Sequence, residues 1–384
     1  MLRIQHPLGS QVADLYYGQD ALVSLQGLAD HSVHTVCTSP PYWGLRDYGK
    51  EDQLGQEENL DDYIERLVAI FREVKRVLRV DGTLWLNIGD TYVTDKRRYK
   101  NLPIKSLIGV PWRVAQALQE DGWILRSNVI WSKPNPMPEL ARDRPTRSHE
   151  DVFLFAHPNS NSEYYYDRNA IREPCSEANV AALLKRKTMY GRSDHGGERP
   201  DLNKSRIAFV SSDLLRNKRT VWDVIPHAFS GAHFAVWPPG LVEPMVKAST
   251  SEKGYCSVCG NPWYRTVTLG DRGDWRSDHL ESVDADWVAS SEEDAFKPRK
   301  RVIGDWEIDC DHGGNPVPGI VLDPFSGSAT TGEVAMSLGR SYVGLDLNPD
   351  YLEVAQQRIT GLKAGRKKDT TSDDAALEDL LDIF

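Results

Sequence analysis

The stretch "CTSPPYWG" (residues 37–44) ends an apolar segment in a serine, two prolines and two large aromatics. Two prolines remove two backbone donors and stiffen the chain, so this loop cannot pair into a sheet. What it offers instead is a rigidly held hydroxyl (Ser39), bare carbonyls (Pro40, Pro41) and flat rings (Tyr42, Trp43). A second loop, "IVLDPFSGSATTGEVA", places Asp323 at the end of an apolar strand and follows it with small residues and a helix. Small residues let the backbone approach a nucleotide-like ligand at the carboxyl ends of strands, as doubly wound folds do. About twenty residues on, "YVGLDLN" ends another strand in Asp346, a position from which a carboxylate grips ribose hydroxyls. Alone, a glycine turn with a later acid is also a common structural turn, and the lack of Gly-x-Gly-x-x-Gly argues against a dinucleotide.

The elements that must position these groups are legible from periodicity. "VADLYYGQD" and "SVHTVCTS" read as strands separated by the short helical "ALVSLQGLA". In "NLDDYIERLVAIFREVKRVLRVDG", Tyr63, Ile64, Leu67, Ile70, Phe71, Val74, Val77 and Leu78 share one helical face; Asp61 is the expected N-cap and Gly82 the expected end. "TLWLNIGD" reads as a buried strand, "VPWRVAQALQEDGW" as a helix and "ILRSNVIWSKP" as a strand. This β-α rhythm implies a mostly parallel sheet with helices on its faces. It fades from about residue 139 to 225, returns at "LVEPMVKAS", breaks again over 251–318 and resumes with the second loop.

Taken together, "DPF-x-G" and "TSPPYW" resemble the amino-directed DNA methyltransferases that use S-adenosylmethionine, in their β-type order: catalytic loop first, target recognition in the middle, cofactor loop last. The similarity spans roughly 12–362 and includes "GVPWRVAQALQEDGWILRSNVIWSKPNPMPE", "RPTRSHEDVFLFAH" and "HFAVWPPGLVEPMVKAS". It implies an α/β fold, a Rossmann-like methyltransferase sheet circularly permuted so that the catalytic loop is N-terminal and the cofactor loop C-terminal. The implied organisation is a catalytic half (1–139), a target-recognition region (140–228), a cofactor-side helix (229–250), an insertion (251–318), a cofactor-binding half (319–362) and a mobile acidic tail (363–384).

The resemblance implies site residues in turn. Ser39, Pro40, Pro41 and Tyr42 would be catalytic, with the Ser39 hydroxyl and Pro40 carbonyl accepting hydrogen bonds from an exocyclic amino group and the Tyr42 ring stacking on a flipped base, with Trp43 in support. Asp20, Phe234, Asp323, Pro324, Phe325, Gly327, Ser328, Thr330 and Asp346 would hold the cofactor, Asp20 beside the adenine; His233 and Trp237 are further candidates. In this family serine before Pro-Pro-Tyr leans toward N4 of cytosine, and N6 of adenine stays open. Carbon-5 chemistry needs a cysteine nucleophile, and the sole Pro-Cys, at Cys175, lies in the wrong region. Ala329 stands where the family has glycine: it fits if it already begins the helix, and otherwise the chain reads as a DNA-binding module with a decayed cofactor site. The same chemistry on RNA or a glutamine amide is the other alternative.

Arg142, Arg144, Arg147, Lys185 and Arg186, with Lys187 and Arg192, are the candidates to neutralise phosphates of duplex DNA, half or more of them being plain surface; His149 reads as a structural histidine. Cys256 and Cys259 in "CSVCGNPW" have a knuckle spacing that Cys310 and His312 in "CDH" would complete as a structural zinc set, though the second pair is one residue tight; reduced thiols beside a surface histidine are the alternative. Five cysteines, one pair as Cys-x-x-Cys, suit a metal in a reducing compartment better than a disulfide framework. The net charge of −10 excludes little, because basic clusters such as "DKRRYK" and "KPRKR" coexist with an acidic end. No apolar run approaches the roughly 20 residues that cross a bilayer, and "MLRIQHPLGS" lacks a signal-peptide layout, so no membrane partner and a cytoplasmic location are expected. A homodimer suits the family. Leu377, Leu380, Leu381, Ile383 and Phe384 resemble peptides that dock on a sliding clamp, although the opening Gln is missing and an acidic amphipathic tail is the simpler reading. No nuclease motif is visible; a role in restriction-modification is one biological setting among several.

Overall fold

Successive side chains of β4 (Leu78–Ile88) leave opposite faces of the strand. Leu84, Leu86 and Ile88 enter one hydrophobic core, whereas Trp85 enters a second. The same split occurs in β3 (Val33–Thr38), with Val36 on one side and Cys37 on the other, and in β12 (Ile320–Asp323), with Leu322 opposite Val321. A sheet buried on both faces needs two helical layers. The first comprises α1 (Ala21–Gln26), α2 (Leu60–Val77) and α3 (Val110–Glu120); the second comprises α4 (Pro239–Ser249), α5 (Thr330–Ser337) and α6 (Leu352–Thr360). The computed structural model describes residues 1–45, 47, 49–50, 52–94, 102–161, 163–175, 215–226, 236–269 and 301–361.

The remaining strands are β1 (Leu2–Leu8), β2 (Gln11–Tyr17), β5 (Ile124–Ser132), β6 (His149–Ala156), the short β7 (Glu173–Pro174), β8 (Leu215–Arg216) and β9 (Val221–Asp223), then β10 (Trp263–Leu269), β11 (Arg301–Ile308) and β13 (Ser341–Asp346). The main sheet runs β1-β2-β13-β12-β3-β4-β6-β5-β9. From β2 to β4 it is parallel, and β6 lies antiparallel between β4 and β5. The C-terminal strands β12 and β13 thus sit between the N-terminal β2 and β3. That order aligns the carboxyl ends of β2, β13, β12, β3 and β4 along one rim, where the two loops singled out by their chemistry meet. Among the described residues no helix is long and apolar enough to cross a membrane.

Several local expectations need correction. Asn59, not Asp61, caps α2: its side chain accepts from Asp62 N at 3.0 Å, and Asp61 sits in the first turn. Gly82 does not end the helical unit but lies inside β4, where a Cβ would come within 2.8 Å of the His34 carbonyl. Residues 140–228 are not one excursion, because β6 is a central strand of the sheet and β9 extends its edge. β6 has a continuous apolar run because both its faces are covered, so it carries no alternation to mark it. β1 has the opposite problem: it is an edge strand with most residues exposed, and so shows no apolar pattern.

Candidate active site

The rim encloses a cavity of about 550 Å³. Ser39, Pro40, Pro41 and Tyr42 from the loop after β3 line it, opposite Pro324, Phe325, Ser326, Gly327 and Ser328 from the loop after β12. Asp20 and Asp346, at the ends of β2 and β13, complete the second side, and Asn87, Asp90, Lys133, Arg147, His149 and Glu150 the first.

On the first side the polar groups form one network. The Tyr42 hydroxyl donates to Glu150 Oε2 at 2.8 Å and accepts from Asn87 Nδ2 at 2.7 Å. Ser39 Oγ lies 3.2 Å from the Tyr42 hydroxyl and accepts from Asn87 Nδ2 at 3.3 Å. Lys133 pairs with the other oxygen of Glu150. Burial, then the Glu150 charge, push the Tyr42 phenol well above its ordinary value, so it stays a donor. With the Tyr42 proton committed to the carboxylate, the Ser39 proton has the Tyr42 oxygen to go to, and Ser39 Oγ faces the cavity as an acceptor. The Tyr42 ring packs on Gly89, where a Cβ would come within 2.5 Å of the ring; this close approach requires glycine. Tyr63 donates to the Pro41 carbonyl at 2.9 Å, while among the described residues nothing donates to the Pro40 carbonyl. Trp43 turns away into the core and donates to the Glu57 carbonyl.

On the second side, Asp346 accepts from Gly327 N at 2.7 Å and Asn348 N at 2.8 Å, and burial raises its carboxyl to about 6. Tyr17 donates to the Gly327 carbonyl, and Ser326 bonds Tyr17 and Tyr342, each at 2.8 Å. Asp20 lines the cavity but also caps α1, accepting from Leu22 N at 2.8 Å. Ser328 Oγ accepts from Arg358 at 2.7 Å.

Two of the residues expected at the cofactor, Asp323 and Thr330, do not line the cavity. Asp323 is only 2% exposed and does not line the cavity; Thr38 and Thr331 donate to its two oxygens at 2.6 and 2.7 Å, tying β3 and α5 to β12. Thr330 is buried away from the cavity, with no partner for its hydroxyl among the described residues. Ala329 does not begin the helix: it is the N-cap, in the left-handed region at φ +60°. Ala329→Gly is expected to change stability little, because relief of about 1 kcal/mol of strain offsets about 0.8 kcal/mol for the lost buried methyl. Ala329→Val, branched at a position that disfavours it, is expected to cost about 2 kcal/mol; thermal denaturation distinguishes the two.

Cys37, buried beneath the Ser39–Tyr42 loop with its thiol pushed up by desolvation, is not placed as a nucleophile, and Cys175 does not line the cavity. His149 is an exposed cavity residue rather than a buried structural one. Of the expected arginines, Arg144 is engaged by Glu139 at 2.7 Å and lies over the Tyr92 ring, Arg142 is exposed, and Arg147 lies at the cavity. Trp237 lines the cavity; His233, Phe234, Lys185, Arg186, Lys187, Arg192 and the C-terminal segment with Leu377, Leu380, Leu381, Ile383 and Phe384 lie outside the described residues.

The sequence matches the DNA methylase family (N6_N4_Mtase) over residues 33–257 and 314–357, which take in both loops. The chain belongs to this family. The methylase is 37% identical to the type II methyltransferase M.XycI of Xanthomonas campestris pv. cyanopsidis, over 92% of this chain and 90% of that one. It is also 37% identical to M.Cfr9I of Citrobacter freundii, over 94% and 92%. In fold it is similar to the PvuII DNA methyltransferase (cytosine-N4-specific), with a TM-score of 0.53 at 15% identity, covering 92% of the methylase and 87% of that chain. Asn87, Lys133 and Glu150 were not legible as site residues. The one sequence signal for Asn87 is a polar group at the end of an apolar strand, in "WLNIGD".

Proposed function

We propose that this methylase transfers a methyl group from S-adenosylmethionine to the exocyclic N4 of a cytosine flipped out of duplex DNA. The observation that carries the reading is that one cavity joins the Ser39–Tyr42 acceptor loop to the glycine loop and Asp346. The cavity's volume suits a cofactor-sized ligand. Its second side fits the cofactor: a loop that a bulky side chain at Gly327 (φ +51°) would strain, and a half-buried carboxylate for ribose hydroxyls. We read the position of β12 and β13 between β2 and β3 as the permuted sheet of the β-type order.

S-adenosylmethionine, when bound, supplies an electrophilic methyl group. The chain's own residues must prepare the amino nitrogen, whose lone pair is delocalised into the base. Ser39 Oγ and the Pro40 carbonyl accept its hydrogen bonds from fixed positions, which favours the localised lone pair. The methylated nitrogen then sheds a proton, and the chain Ser39–Tyr42–Glu150 leads it to a carboxylate: each hydroxyl passes on one proton and receives another. Tyr42 also presents its ring to the flipped base. Serine at the head of Pro-Pro-Tyr supports cytosine over adenine.

Asp346 gives a pH signature. Below about 6 its carboxyl is protonated and loses acceptor capacity; above, both oxygens serve. S-adenosylmethionine is therefore expected to bind roughly tenfold tighter near pH 7 than near pH 5. Asp346→Asn, which cannot titrate, should bind weakly with a flat profile in calorimetry. Incubating duplex DNA with methyl-labelled S-adenosylmethionine tests the activity itself: label should enter DNA, and its absence with protein that binds both partners would overturn the reading.

A further inference from the structure

We infer that Cys256, Cys259, Cys310 and His312 bind one structural zinc ion. Their four ligand atoms lie within 4.8 Å of one another, and Cys256 Sγ is 3.8 Å from His312 Nδ1. A tetrahedral zinc with bonds of about 2.3 Å to sulfur and 2.0–2.1 Å to nitrogen sets its ligands roughly 3.5–3.8 Å apart, so small side-chain adjustments close the set.

The backbone supports this geometry from both directions. In the Cys256–Cys259 turn, Val258 N donates to Cys256 Sγ at 3.4 Å and Gly260 N donates to the Cys256 carbonyl at 2.9 Å, with Gly260 at φ +73°. Amide donors to a ligand sulfur are the outer support that metal thiolates use. The second pair arrives by way of the β10–β11 hairpin, where Trp263 is paired with Ile308. Asn261 closes the base of the hairpin by donating to the Asp309 carbonyl at 2.8 Å. Two segments about fifty residues apart in sequence are thus brought together with their ligands converging. Packing gives no rival explanation: Cys256 and Cys310 are half-buried, His312 is exposed, and the three cysteines are free. Three thiols gathered near a surface without a metal would be an oxidation liability.

The location makes the ion structural. Gly260 packs so closely on Arg79 that a Cβ would overlap its guanidinium, and Tyr255, beside the turn, packs against His34 with the rings tilted at 47° and their centres 3.9 Å apart. Arg79 and His34 lie at the amino ends of β4 and β3. Asn87, in the cavity, is eight residues farther along β4, about 26 Å away. Four protein ligands leave no open position for a substrate. The ion would fasten both ends of the 263–308 segment against the amino ends of the central strands β3 and β4, the end of the sheet opposite the active site, and its binding energy would be folding energy.

The test uses the full chain purified under reducing conditions and does not depend on methyl transfer. Elemental analysis is expected to give about one zinc per chain. Cobalt replacement should give the sulfur-to-metal charge-transfer and tetrahedral ligand-field absorptions of a thiolate site. Cys310→Ser should lose the metal and melt at a lower temperature, whereas Cys310→His, a ligand of the same coordination habit, should retain it. Less than a tenth of an equivalent of zinc in the wild type, with none regained on refolding in excess zinc, would overturn the proposal. So would a disulfide among Cys256, Cys259 and Cys310 in protein kept reduced and metal-replete, or full zinc content in a Cys256→Ser, Cys310→Ser double variant.

Discussion

Ser39→Ala is expected to lower kcat for methyl transfer about 10²–10³-fold while leaving S-adenosylmethionine affinity unchanged. In the proposed reaction Ser39 Oγ accepts from the amino group, and it is held by Asn87 and Tyr42, themselves fixed by Glu150. Alanine fits the space but removes both the acceptor and the first member of the proton path. Tyr42→Phe separates the two roles of its neighbour. The ring stays on Gly89, yet the bonds to Asn87 and Glu150 are lost, which should cost about tenfold. Tyr42→Ala, removing the stacking face as well, should fall to the level of Ser39→Ala or below. Single-turnover rates with preformed complex read all three. A Ser39→Ala enzyme with normal kcat and a raised Kd for cofactor would move the loop from chemistry to binding.

Asp323→Ala is expected to cost about 2–3 kcal/mol of stability near pH 5, because it strands the Thr38 hydroxyl and the Phe325 amide and leaves the Thr331 hydroxyl only its longer bond to the Cys37 carbonyl, at 3.3 Å. The pH dependence carries a sign. Burial raises the Asp323 carboxyl from 3.8 to about 6, against the bonds from Thr38, Thr331 and Phe325 that favour ionisation. Between those values the native state holds a proton at Asp323 that the unfolded state has released, so the Asp323 contribution to stability falls as pH rises through the window and levels off above it. Relief of the buried charge therefore makes Asp323→Ala less costly at pH 8 than at pH 5, and it removes this contribution; Asp346 adds a slope of the same sign, and the buried His34, its imidazole pushed down to about 3 by desolvation, one of the opposite sign. Asp323→Asn, able to accept from Thr38 and Phe325 and donate to Thr331, should keep the fold and lose the same part of the slope. Urea denaturation at a series of pH values checks this, and an unchanged slope in both variants would contradict the assignment.

The two loops and the elements behind them were legible because their chemistry is local. Two prolines forbid a strand wherever they occur, and α2 shows its buried face in its own spacing. What the sequence could not show depends on groups meeting across the sheet. Glu150 reaches Tyr42 because β6 inserts antiparallel beside β4, and Lys133 follows β5 on the far side of β6. Asp323 and Asp346 look alike, each an acid ending a strand. One points into the packing of α5 and the other toward the cavity, a difference set by Thr331 and Gly327. Ala329 has the wrong side chain for its backbone, yet the bonds of Tyr17, Ser326 and Asp346 hold the loop around it.

The most direct measurement digests methylated DNA to nucleosides and identifies the modified base by mass spectrometry, using purified methylase, unmethylated genomic DNA and S-adenosylmethionine. N4-methylcytosine is the expected product, and it should vanish with Ser39→Ala. N6-methyladenine in its place would contradict the base assignment while keeping the amino-transfer chemistry, and 5-methylcytosine would contradict the chemistry itself.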